Sequence, residues 1–331
     1  VLGTTRLYYL PVTTRVPLKF GPEVLTEVIC ARARVELHAA GTGGSTAQAA
    51  VGWGETPLNV QWVWPSSLTY TERLQALCEL TETIARAWPE GGQPGHPMEI
   101  GHRFLTARLP VLLAEANRAR SREAAIPWLA ALVCASAFDL ATHDAYGKLM
   151  GCPTYATYGP DYLSNDLAAF FADPAFAGRY PREYLQAPPR RLMAWHLVGG
   201  LDPLSPADLT GDEPDDGYPT LLEDWIRSDG LQALKVKLRG DDDAWDYERL
   251  VAVGTIAARH PVLWLSADFN CTVDDPEYVN RILDRLRDSE PRTYASILYV
   301  EQPFPYDLER HRIDVRSVAA RKPLFMDESA H

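Results

Sequence analysis

The chain has 331 residues, of which 46% are hydrophobic and 23% charged, an ordinary balance for a folded protein that excludes wholesale disorder. Asp and Glu number 44 against 32 Lys and Arg, and the resulting charge of −12 disfavours nucleic acid as a partner. Five scattered cysteines with no C-x-x-C pair argue against a disulfide scaffold or a zinc ribbon and point to a reducing cytoplasm. Val1–Pro11, with Arg6 inside it, does not read as a secretory signal, and the longest apolar run, Ile126–Phe138, is too short for a membrane span of about 20 residues.

The first sixty residues read as strands at Leu7–Val12, Val24–His38 and Thr46–Trp53. Gly41–Gly44 suits a hairpin connection better than a phosphate loop, because the run after it alternates like a strand. Thr13–Pro22, polar with two prolines, is expected to be an exposed loop. From Ser66 or Thr69 to about Ala87 the period becomes helical, and Pro127–Met150 predicts a long buried helix stopped by Gly151. Residues 155–230, rich in Pro, Asp and Tyr, carry one strand candidate, Leu192–Val198. After Gly230, strand candidates Ala233–Leu238, Val262–Ala267, Ile297–Val300 and Leu324–Met326 alternate with helical stretches Asp243–Arg259, Pro276–Arg287 and Leu308–Ala320. That alternation predicts a parallel sheet of βαβ units following an α+β unit.

Each of these later strands ends in charge: Lys235 and Lys237, then Asp268, then Glu301, then Asp327 with Glu328. From Lys237 onward the ends fall about 30 residues apart, and a (β/α)₈ barrel spends about 31 residues per unit. One residue per strand would then emerge at the carboxyl rim, where parallel α/β folds build their sites. Three converging carboxylates would repel each other without a cation, and hard oxygen ligands suit Mg²⁺, with Mn²⁺ as the alternative. Lys235 and Lys237, at i and i+2, point to one side of their strand. Two adjacent ammonium groups are expected to depress each other's pKa and free one as a base. Each feature alone has an ordinary reading as a solvated strand end, helix cap or turn; four in one order at barrel spacing do not.

Leu234–Lys237, Ala267–Asn270, Val300–Pro303 and Met326–Ser329 resemble the ordered signature of the enolase superfamily, in its muconate-lactonizing-enzyme and mandelate-racemase-like branch. Gly52–Glu55 and Ala137–Lys148 also resemble that family's third strand end and the helix leading into its barrel. The resemblance implies an α/β fold: an α+β capping domain over residues 1–145, then a TIM-type barrel over 146–331. It makes Asp268, Glu301 and Asp327 the metal ligands, Lys237 the base and Lys235 its electrostatic partner. Asn270 would orient a ligand or water, and Glu328 is the rival to Asp327 as third ligand. Thr14–Gly21 resembles the family's mobile covering loop, so Arg15 and Phe20 are candidates for substrate contact, as is His196 at the first barrel strand's end. The implied chemistry is Mg²⁺-dependent removal of the proton α to a carboxylate, giving a stabilised enediolate that leads to dehydration, epimerisation, racemisation or cycloisomerisation.

Residues 155–230 are enlarged relative to the family, and only five barrel strands are legible. Five strands cannot close a barrel, so the 331 residues are expected to be part of a longer protein whose second acid/base lies beyond His331. The expected partner is a small carboxylate, a sugar acid by weak preference, in a cytoplasmic homo-oligomer. Two other readings remain open: a carboxylate-binding pseudoenzyme of the same fold, and an unrelated metal-dependent barrel lyase or aldolase using Lys237 as a Schiff base.

Overall fold

The computed structural model describes residues 1–20, 23–39, 48–91 and 94–329; the glycine-rich connection at 41–44, Gly21 and the side chain of Phe20 lie outside them. Two compact units emerge, one of residues 1–12 and 28–188, the other of 13–27 and 189–331. The first therefore runs past the 145/146 division expected from sequence, and the segment 13–27 groups with the second.

β1 (Leu2–Phe20), β2 (Glu23–His38) and β3 (Ala49–Pro57) form one sheet in that order. β1 extends through 13–20, where a loop was expected: Thr14 Oγ1 donates to the carbonyls of Leu25 and Thr26, tying the polar stretch to the neighbouring strand. β2 and β3 pair antiparallel, from Cys30 opposite Pro57 to His38 opposite Ala49. Ala31, Ala33, Val35 and Leu37 alternate inward, the period-2 pattern of a half-buried strand. The helix Tyr70–Ala87 packs on the helix Trp128–Met150, which lies against β3. The first starts at a capping box in which Glu72 N donates to Thr69 Oγ1 and Thr69 N donates to Glu72 Oε2. The second ends at Gly151, whose φ of +67° suits a residue without Cβ.

Gly52 and Gly54 let β3 touch the long helix backbone to backbone. A Cβ at Gly52 would lie 2.0 Å from the Ala141 carbonyl oxygen and 2.3 Å from the Ala145 nitrogen; one at Gly54 would lie 2.1 Å from the Ala137 oxygen. Neither obstacle is a side chain that can swing away. Gly52→Ala is therefore expected to cost about 3 kcal/mol, read as a lowered urea midpoint.

A buried histidine caps the helix Pro97–Arg103: His96 Nδ1 accepts from Met98 N at 3.1 Å. Thr157 Oγ1 already donates to the Thr154 carbonyl, so the 2.8 Å contact to His96 Nε2 makes that nitrogen the donor. The neutral imidazole is thereby fixed, and burial, helped by the neighbouring His143, lowers its pKa to about 4. The unfolded chain then binds more protons between the ordinary histidine value of about 6.5 and that folded value, so acid destabilises this unit. Denaturation midpoints should fall as pH drops from 6.5 through 4, by up to about 3 kcal/mol, and His96→Gln should flatten that slope.

In the second unit β4 (Trp195–Val198), β5 (Ala233–Lys237), β6 (Trp264–Asp268), β7 (Ile297–Glu301) and β8 (Leu324–Phe325) form a five-stranded parallel sheet in chain order. The helices Leu222–Asp229, Asp243–Ala257 and Pro276–Ser289 connect successive strands. Leu234, Val236, Leu265, Ala267 and Val300 pack with Ile226, Leu250, Val253, Ile282 and Leu283 from these helices into one core. The long helix expected over 308–320 is reduced to Arg316–Ala319. Asp314 Oδ1 accepts from Arg316 N, and that bond starts the helix there instead. Among the described residues no helix is long and apolar enough to cross a membrane.

Candidate active site

Register builds the site. Lys237 on β5 pairs with Asp268 on β6, and Asp268 pairs with Glu301 on β7, so the three stand in one row across adjacent strands. Paired residues of parallel strands share a face. One row back on that face are Leu197, Lys235, Ser266 and Tyr299. β7 reaches this phase through a bulge: Leu265 pairs with Ile297, but Ser266 pairs with Tyr299, leaving Leu298 without a counterpart. Ile297 and Glu301, four residues apart and by strict alternation on one face, thus end on opposite faces, Ile297 in the helix-packed core.

The charges interlock. Lys235 Nζ lies 2.5 Å from Glu301 Oε1 and 3.0 Å from Asp268 Oδ2. Lys237 Nζ donates to Asp268 Oδ2 at 2.5 Å and to Asn270 Oδ1 at 2.7 Å. Asn270 is itself braced, its N donating to Asp268 Oδ1 and its Nδ2 to the carbonyls of Leu238 and Asp268. It therefore orients Lys237. Asn270 and Cys271 both have φ near +60°, a left-handed turn that folds the end of β6 back on itself.

Burial works against the Lys235 charge, but Asp268 and Glu301 outweigh it and hold the ammonium above the ordinary lysine range. The downward push expected from Lys237 does not govern it, because two carboxylates stand closer to the balance than one like charge. Burial and the neighbouring Asp268 raise the Glu301 carboxyl. Burial, with Asp327 and Asp268 nearby, pushes Glu328 up to about 6, and Cys271, half-buried and hydrogen-bonded to Glu328, is raised as well.

For a divalent cation, Asp268 and Glu301 fit. Both are buried, and one positive atom, Lys235 Nζ, already lies within hydrogen-bond distance of an oxygen from each. Mg²⁺ commonly takes one or two carboxylates and completes its shell with water or substrate. The expected third ligand is not gathered with them: among the described residues no group of three His, Cys, Asp or Glu side chains is close enough to hold a metal ion. Strand pairing explains the difference. β8 pairs only at Leu324 and Phe325, so Asp327, two residues beyond the last pair and exposed, is outside the ladder that aligns the other two.

Two other sequence candidates, His196 and Arg15, are placed elsewhere. His196 pairs with Leu234 and so faces the helices, its ring 5.4 Å from Trp225; strand alternation sends its neighbour Trp195 to the lysine face instead. Arg15 is committed to an ion pair, its Nε and Nη2 donating to Asp216 at 2.7 and 2.8 Å, with further bonds to the carbonyls of Pro219 and Tyr218. Phe20 lies outside the described side chains. Two aromatic contacts on the site face were missed: Tyr299 is 5.5 Å from Trp195 and 5.1 Å from Phe325. Tyr299 could have been found by counting back two residues from Glu301.

Lys235→Met leaves Asp268 and Glu301 facing each other without that cation. Breaking such a pair should cost about 3 kcal/mol in chelator-treated protein at pH 8. The orphaned carboxylates would bind protons more tightly folded than unfolded, so the deficit should shrink at pH 5; chemical denaturation at the two pH values measures it.

No family model matches the chain, and no curated protein does. Solved structures do. A dipeptide epimerase from Cytophaga hutchinsonii, complexed with Mg and the dipeptide D-Ala-L-Val, matches all of this chain and 66% of its own at 18% identity, with a TM-score of 0.60. The L-Ala-D/L-Glu epimerase from Bacillus subtilis matches 99% of this chain and 68% of its own at 16% identity, TM-score 0.57. A mandelate racemase/muconate lactonizing protein from Herpetosiphon aurantiacus matches the same shares at 17%, TM-score 0.53. The chain spans about two thirds of the length of these structures. With its antiparallel α+β unit and its parallel α/β unit, the chain has the fold of these dipeptide epimerases and of the mandelate racemase/muconate lactonizing protein.

Proposed function

We propose that the chain belongs to a Mg²⁺-dependent enzyme that removes the proton α to the carboxylate of a small acid, with epimerisation or racemisation as the favoured outcome. The observation that carries this reading is the row Lys237–Asp268–Glu301, with Lys235 bridging its two acids. Asp268 and Glu301, with Asp327 as the third candidate, would hold the cation. When bound, such a cation neutralises a substrate carboxylate and makes the adjacent C–H more acidic.

The protein groups divide the remaining work. Lys237 is the base, and the proton ends on its Nζ. The resulting ammonium is the species that Asp268 Oδ2 and Asn270 Oδ1 are placed to accept from. Lys235, kept charged by its two acids, faces negative charge developing on the substrate at no cost in reorganisation. Return of the proton to the opposite face requires a second acid/base, and Lys237 serves one face.

Epimerisation or racemisation is favoured over dehydration and cycloisomerisation because the matched structures include dipeptide epimerases and an N-succinyl Arg/Lys racemase from Bacillus cereus. Dipeptides and N-acyl amino acids thereby move ahead of the sugar acids favoured from sequence. A panel of both classes, incubated with the protein and Mg²⁺ in D₂O, should show exchange of the α-proton by NMR. EDTA should abolish the exchange, and Lys237→Ala should slow it about 10³-fold. Ligand binding without exchange across the panel would favour a carboxylate-binding pseudoenzyme, and borohydride trapping on Lys237 an aldolase.

A further inference from the structure

Gln302 follows Glu301 directly, is 1% exposed, and has φ of +31°, a conformation that residues with a Cβ rarely adopt. Its amide has two acceptor positions and two donor hydrogens, and all four are used. Oε1 accepts from Asp327 N at 2.9 Å and from Ser329 N at 3.2 Å. Nε2 donates to the Phe304 carbonyl at 3.0 Å and to Ser329 Oγ at 2.8 Å. Its main chain is equally committed: Gln302 N donates to the Phe325 carbonyl, and its own carbonyl accepts from Cys271 N. One residue thus joins the ends of β6, β7 and β8.

Three of the four amide bonds converge on the turn 327–329, the part of the candidate site that strand pairing does not reach. Ser329 Oγ also donates to the Tyr306 carbonyl, so the turn is fixed to the loop after β7 as well. Two backbone N–H groups face the same oxygen, which dictates the orientation of the amide. We infer that Gln302 is a positioning residue: through the Asp327 and Ser329 amides it sets where the Asp327 carboxylate is presented relative to Glu301. The strained φ of Gln302 is part of that device, since it turns the side chain from the strand toward the neighbouring strand's end. This inference rests on the proposed reading that Asp327 helps to hold the divalent cation.

The test uses the full chain and three variants: Gln302→Met, which keeps the volume and removes the amide, Gln302→Glu, which keeps an acceptor for the two N–H groups, and Asp327→Asn. Folding is checked by circular dichroism, backbone hydrogen–deuterium exchange is followed residue by residue, and Mn²⁺ affinity is titrated by electron paramagnetic resonance. Gln302→Met should speed exchange at Asp327 and Ser329 by about tenfold while β5 and β6 stay protected, and weaken Mn²⁺ binding by about tenfold. Gln302→Glu should keep exchange at those two amides near wild type, and it decides the question if Gln302→Met does not fold. Fast exchange there in Gln302→Glu, or unchanged exchange and affinity in folded Gln302→Met, overturns the inference. Asp327→Asn should weaken Mn²⁺ binding without changing that exchange; unchanged affinity in this variant sinks the metal-ligand reading instead, while exchange in Gln302→Met still reports whether the amide fixes the turn.

Discussion

The in-register pairing of β5, β6 and β7 decides what the second unit can do. Parallel strands carry paired residues on a common face, so Lys237, Asp268 and Glu301 are held in line by main-chain hydrogen bonds rather than by long side chains. The same ladder puts Val236, Ala267 and Val300 in line on the other face, where the helices cover them. A slip of one residue on β6 would set Phe269, now buried, beside Lys237 and turn Asp268 into the apolar core. Core and chemistry therefore specify each other.

Charge accounts for the next layer of order. Two buried acids side by side are unfavourable, and Lys235 relieves them by standing between both. Lys237 shares one of those acids and is steadied by Asn270, itself tied to the backbone on both sides. The two lysines thus differ in surroundings despite occupying alternate positions of one strand: one is clasped by two acids, the other by an acid and a neutral amide.

Much of this was legible in the sequence because apolar strands ending in single charges survive without tertiary information. The positions of β5, β6 and β7 and the identities of Lys235, Lys237, Asp268 and Glu301 rest on that pattern. What escaped depends on contacts distant in the chain or on phase within a short strand. Arg15 meets Asp216 201 positions away, and nothing near Arg15 announces it. His196 adjoins Trp195 in a four-residue strand too short for its alternation to be read. Asp327 follows a strand that pairs over two residues, so its motif was visible but its geometry was not. Gln302 read as ordinary turn chemistry because its four amide partners lie up to 27 positions downstream.

The bulge at Leu298 has an evolutionary side. An extra residue has been absorbed near the start of β7 while Tyr299, Val300 and Glu301 kept their partners. The start of β7 thus accommodates an extra residue while the last three positions before the carboxyl rim keep their register. Length variation among descendants of such a chain should accumulate at the amino edge of the sheet, and an alignment anchored there would misplace the acids. Distant relatives are better compared by counting backward from the rim.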